Sequence, residues 1–350
     1  MKDRLKPLNL QPTEYDRYLS RDCTSAIKGV AIILMIVHHF FTFPSYYIEG
    51  ISYPYLEGVA EYLCWPTKIC VGIFAFLTGW GYAFCKKPNY AYSVKKILKT
   101  YLFYWVIYLP ILAISVLTKC YIPTIKELLL EFAALYRPIM FFGWYIVFYA
   151  AAMLLMPLFS RLCSKNFLIG LFGGILLPIV VFYGLMQVFS RVGAEIPAEL
   201  CNYLVSYFPC VIVGFLAARY RVFTDIIHPM LKKLHLDKWG VYLALMLIPC
   251  VCRYFLPSVF AVNLDILYAP IFVFGAASLK LNSSILSFLG RQSLNIWLLH
   301  CAFFGVTKQV MQPIAFFLKF PPLVIIWVLA MLSGVSVCIN LLMCPITKRI

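Results

Sequence analysis

Two histidines and a lysine lie in an apolar stretch long enough to cross a membrane. Residues 21–43 read RDCTSAIKGVAIILMIVHHFFTF, with Lys28 opening the apolar run and His38 and His39 deep inside it. Over eleven residues a helix turns through about 1100°, some 20° from three full turns, so Lys28 and His39 share one face. The rise between them is about 16 Å, roughly half the hydrocarbon thickness. His38 points about 80° away from that line. Ionisable side chains at membrane depth are expensive and mark function by default. A neutral imidazole, with an ordinary pKa near 6.5, is suited to take a proton from a hydroxyl or to accept an acyl group as nucleophile. The bland alternative is a histidine satisfied by a neighbouring helix.

A second set of polar groups sits late in the chain. Ser293, Trp297 and His300 fall at i, i+4 and i+7, one face of a helix, with His300 either catalytic or hydrogen-bonded in the packing. Trp144 and Tyr145 are adjacent aromatics, for which packing and membrane-interface belts are the commoner roles. Asp265 can pair with Arg253 or bind a polar ligand. The nucleophile-elbow, phosphate-loop and His-Glu-x-x-His signatures are absent, and nothing has the spacing of a metal site. Thirteen cysteines without repeated spacing read as small apolar packing residues.

The elements that must position these groups are transmembrane helices. Of 350 residues 63% are apolar and 13% charged, and the mean hydropathy is +0.87. That composition excludes an ordinary soluble domain and predicts an all-α, polytopic transmembrane helix bundle. Ten spans are predicted, at about 26–44, 64–84, 97–117, 139–159, 166–189, 203–220, 239–256, 264–280, 284–306 and 321–345. Three segments follow: a polar cytoplasmic stretch over 1–25, a membrane domain over 26–345 and a short cytoplasmic tail over 346–350. No cleavable signal is expected.

The net charge of +16 reads as positive-inside topology instead of affinity for nucleic acid. With both termini cytoplasmic, 22 of the 30 Lys and Arg fall on the inner segments and helix ends, while seven of fourteen acids, Glu57 and Glu61 among them, fall outside. Residues 124–136 fit an outer interfacial amphipathic helix, and 219–238 a basic inner loop whose His228 and His235 are expected to be solvated.

The stretch from Lys28 to His39 resembles the first-helix signature of the integral-membrane acyltransferase 3 family: a cation, a Gly-aliphatic run and a histidine eleven positions on. Phe74-Ala75-Phe76-Leu77-Thr78-Gly79-Trp80 is similar to the family's Phe-x-Phe-Leu-Ser-Gly-aromatic run. Gly143-Trp144-Tyr145-Ile146 with Pro157 is similar to its fourth-helix region, and the run from Gly290 to His300 to its late Gly-x-x-Ser-Leu-x-Ile-aromatic-Leu-Leu-His segment. Order and spacing match over almost the whole chain. The departures are Lys28 where many relatives carry Arg, Ser25 where they often carry Asp, and Thr78 for Ser. The His38–His39 doublet leaves the register open by one, with spacing favouring His39.

The resemblance implies transfer of an acyl group, usually acetyl, from cytoplasmic acyl-CoA to a hydroxyl on a cell-surface polysaccharide or lipid-linked sugar, in a bacterial plasma membrane. On that reading His39 and His300 are the catalytic candidates. Lys28, Lys96 and Arg291 stand out from the inner cations as contacts for the anionic donor. Trp144, Tyr145, Ser293 and Asp265 are candidates for substrate binding, and no metal is expected. Membrane lipids are further partners. The rival from another class is a non-enzymatic transporter of glycans or small molecules.

Overall fold

The computed structural model describes residues 18–52, 64–256, 262–281 and 283–347. Most of the predicted N-terminal segment, Glu57 and Glu61, and residues 348–350 of the tail lie outside them. Among the described residues the regular backbone is helical, with no strand.

Helix α1 (Arg21–Phe41) starts where Ser20 caps it: the Ser20 hydroxyl accepts from the Cys23 amide at 3.1 Å, and Asp22 sits in the positively polarised first turn. Then follow α2 (Ile69–Ala83), entered through a 3-10 turn (Trp65–Lys68), α3 (Tyr90–Leu117), α4 (Ile125–Phe132) and α5 (Trp144–Cys163). Helices α6 (Phe167–Leu171) and α7 (Leu177–Arg191) are one rod interrupted by a π-turn (Phe172–Leu176). The chain continues with α8 (Glu195–Arg219), α9 (His228–Lys233), α10 (Trp239–Phe255), α11 (Asp265–Ser278), α12 (Ser284–Arg291), α13 (Ser293–Leu299), α14 (Lys308–Phe316) and α15 (Pro321–Thr347). Among the described residues six rods are long and apolar enough to cross a membrane: α1, α3, α5, α6–α7, α8 and α15. Leu109, Val180, Val251 and Leu342 expose half or more of their surface, as lipid-facing residues do. The molecule is an all-α polytopic helix bundle and an integral membrane protein.

Each of the ten predicted spans falls on helix, with four informative differences. Helix α3 begins at Tyr90, seven residues early, because Asn89 caps the Tyr92 amide at 2.9 Å and carries Lys95 and Lys96 into the helix. Helix α8 begins at Glu195, not at 203, with an acid in its first turn. The ninth span is broken into α12, α13 and a 3-10 turn (His300–Phe303). At its break the Gln292 Oε1 accepts from Ser336 Oγ at 2.7 Å and Asn340 Nδ2 at 2.5 Å, tying the interruption to α15. The basic loop 219–238 holds a π-turn (Val222–Ile227) and α9, and His228, expected in solvent, stands 3.4 Å from the Tyr18 hydroxyl.

Helix α4 is the expected short amphipathic element, closed by a Thr124–Glu127 capping box. Its buried Glu131 is clamped by α3: Tyr108 donates to the carboxylate at 2.8 Å and Tyr104 to the Glu131 backbone carbonyl at 2.5 Å.

Two crossings need glycine because backbones touch. A Cβ on Gly29 of α1 would lie 2.0 Å from the Leu286 carbonyl oxygen, and one on Gly290 of α12 would lie 1.7 Å from that of Ser25. Gly79 of α2 and Gly214 of α8 repeat this reciprocal arrangement at 1.7 Å from Val211 and 2.0 Å from Phe76. Helix α1 packs on α2, α11, α12, α13 and α15, so the stripe from Lys28 to His39 stands at the centre of the bundle.

Candidate functional site

One face of α1 lines a cavity of about 1200 Å³. The α1 side chains on it are Arg21, Lys28, Met35, His38 and His39, so the cavity follows the helix for about 27 Å of rise. Its volume exceeds the roughly 300–1,000 Å³ of a pocket for one small ligand. The structure thus brings Lys28 and His39 to a single space, as their angular spacing requires.

His39 is held on two sides. Its ring stacks on Phe142 with centroids 3.8 Å apart, and its Nδ1 lies 2.8 Å from Nε2 of His300. The other His300 nitrogen, Nδ1, is bonded to the backbone carbonyl of Trp297 one turn earlier. A carbonyl only accepts, so His300 carries its proton on Nδ1 and offers a lone pair at Nε2. His39 must then donate from Nδ1, which leaves its Nε2 as an acceptor. Tryptophan carbonyl, His300 and His39 form a directional chain whose last member lines the cavity. The 3-10 turn after α13 supplies the geometry, because the break places the His300 ring beside His39 and out of the cavity lining.

His38 also borders the cavity despite its different helical angle, but its partners differ from those of His39. Its Nδ1 is 3.1 Å from the Thr42 hydroxyl and 3.4 Å from the Cys64 carbonyl, and the ring meets Trp65 edge-on. Among the described residues no second histidine is hydrogen-bonded to it.

Of the candidate donor contacts, Lys28 and Lys96 line the cavity and Arg291 does not; it lies exposed at the end of α12. Arg21, one heptad before Lys28 and within about 20° of its line, joins them. The same arithmetic that pairs Lys28 with His39 would have found it. Lys96 extends over the Tyr92 ring at 5.4 Å.

Trp144, Tyr145, Ser293 and Trp297 all line the same space. Trp144 stacks on Tyr203 at 4.4 Å, and Tyr203 in turn donates to Glu199, which Arg137 holds at 2.5 and 2.6 Å. That aromatic wall, with Asn202 and Tyr207 of α8, was not legible in advance, since nothing in α8 distinguishes lining aromatics from packing ones. Asp265 is elsewhere: fully buried and ion-paired with Arg253, it links α11 to α10 and does not line the cavity. Of its two sequence readings the ion pair is the one realised. Lys68, at the start of α2, lines the cavity without having been foreseen, because it stands outside any helical period.

The site can bind an anionic, extended ligand along the Arg21–Lys28–Lys96 side and present a fixed imidazole lone pair to a hydroxyl. No curated protein and no solved structure matches the chain. The family model described as an acyltransferase domain matches residues 24–343, which include His39, His300, Lys28, Lys96 and all four quoted sequence runs. This chain belongs to the acyltransferase 3 family.

Proposed function

We propose that the protein is a membrane O-acyltransferase of a bacterial plasma membrane, with both termini cytoplasmic. It moves an acyl group, acetyl in the simplest case, from cytoplasmic acyl-CoA to a hydroxyl of a cell-surface polysaccharide or lipid-linked sugar. The observation that carries this reading is the 2.8 Å contact between His39 Nδ1 and His300 Nε2, with His300 Nδ1 on the Trp297 carbonyl: on the tautomers that this chain implies, Nε2 of the cavity-lining His39 keeps its lone pair.

In the proposed step, His39 Nε2 takes the acceptor's hydroxyl proton as the oxygen attacks the thioester carbonyl. The new ester C–O bond forms, the C–S bond breaks, and the thiolate leaves with the proton returned by His39. While the His39 ring is cationic, its Nδ1–H continues to donate to neutral His300, whose own proton is anchored on the Trp297 carbonyl. The cations Arg21, Lys28 and Lys96 attract the anionic donor, and the aromatic wall around Trp144 and Tyr145 flanks the acceptor.

The test is transfer of label from acetyl-CoA to a glycan acceptor by purified protein, with release of free CoA thiol. His39→Ala is expected to insert and accumulate normally while losing at least about 10²-fold in transfer rate. Full activity in that variant overturns the assignment. Movement of glycan across a proteoliposome without CoA release would favour a transporter.

A further inference from the structure

Lys68 is the cationic side chain in the cavity that the donor path does not use. Arg21 and Lys28 precede His39 on α1, Lys28 by about 16 Å of rise, whereas Lys68 belongs to the turn whose Cys64 carbonyl and Trp65 ring touch His38. The histidines therefore stand between two separate cationic regions. The Lys68 ammonium lies 4.8 Å from the centre of the Trp65 ring. Among the described residues no ion pair involves it: the acid that interacts with it electrostatically, Asp265, is already paired with Arg253. An ammonium is a strongly hydrated point charge, and holding one against a largely apolar wall without a counter-ion is unfavourable unless a ligand supplies the anion. Other groups that line the same cavity suit a glycan, Tyr46 with a ring and Asn263 with an amide.

We infer that Lys68 is the acceptor-side specificity residue, and that the acceptor carries an anionic group, a carboxylate or a phosphate, near the hydroxyl that is acylated. This rests on the acyltransferase reading for the word acceptor, but the binding claim is separable from it. A neutral glycan leaves Lys68 without a counter-ion among the described residues; an acidic one places its charge on the ammonium and its hydroxyl towards His39.

The experiment uses the full chain in lipid nanodiscs and three probes: methyl β-D-glucuronide, glucose 6-phosphate and methyl β-D-glucoside. Binding is measured by saturation-transfer NMR without donor, and transfer is measured separately with labelled acetyl-CoA. At least one acidic probe should bind about tenfold or more tightly than the neutral glucoside, and the stronger of the two identifies carboxylate or phosphate. Lys68→Met should abolish that preference without weakening the glucoside, while Lys68→Arg keeps it. Equal binding of all three probes by the unaltered protein, absence of binding to both acidic ones, or an equal loss for all three in Lys68→Met overturns the inference. A charge preference without acetyl transfer removes the acyltransferase reading and leaves the Lys68 site standing. His39-dependent transfer without a charge preference does the reverse.

Discussion

A histidine that is to accept a proton must present a lone pair, and at the centre of this bundle the tautomer is set by a partner 261 residues away in the chain. His300→Ala removes the acceptor for the His39 Nδ1 proton and frees the ring to adopt the other tautomer. The expected result is a fall of about 10²-fold in kcat with the KM for donor little changed, the signature of an interaction that matters in the transition state. His300→Gln, whose amide oxygen can accept the same N–H, should recover part of the loss, which a purely structural role would not predict. At this scale the sequence was informative wherever helical arithmetic applied. Eleven residues put Lys28 and His39 on one line, and seven more bring in Arg21. The arithmetic failed where backbone departs from a regular helix. A regular helix would put His300 on one face with Ser293 and Trp297, which line the cavity, but the 3-10 turn places it behind His39. Lys68 lies in an irregular turn and carried no signal at all.

Among the elements, the two glycine crossings bring backbone against backbone, and the family-like runs holding Gly29, Gly79 and Gly290 read as packing motifs as well as chemical ones. Gly79→Ala forces a methyl to within 1.7 Å of the Val211 carbonyl oxygen, so α2 and α8 must separate. The expected loss is about 3 kcal/mol, near the upper end for an overpacked core, seen as a lowered thermal midpoint in detergent. Gly184→Ala is the matched control: its Cβ meets open space on α7, and the substitution should be neutral or slightly stabilising. Apolar runs made each rod visible in the sequence. The break at Gln292 was not visible, because its partners Ser336 and Asn340 lie 44 and 48 residues on, in another span. For the same reason the pairing of Gly79 with Gly214 had no local trace.

For the molecule as a whole, stability should depend on pH through the α3–α4 clamp. Burial pushes the Glu131 carboxyl up to about 7, although the hydrogen bond from Tyr108 acts in the opposite direction. The folded value is above the roughly 4.3 of an unfolded glutamate, so the contribution is complete below about pH 4 and is lost as pH rises through about 7. The thermal midpoint should therefore fall between pH 5 and pH 8, and Glu131→Gln should flatten that slope; an unchanged slope removes Glu131 as its cause. Composition alone conveyed the membrane bundle. The continuity of one cavity along α1 required the packing of several helices and could not be read from any single run. That continuity has a corollary when taken with the proposed reaction. Lys28 and His39 are two marks on one rigid rod, set apart by a fixed number of residues. The helix therefore acts as a ruler: a donor is accepted when the reach from its anionic head to its thioester carbon matches about 16 Å. A truncated thioester would find either the charge or the base, and never both together.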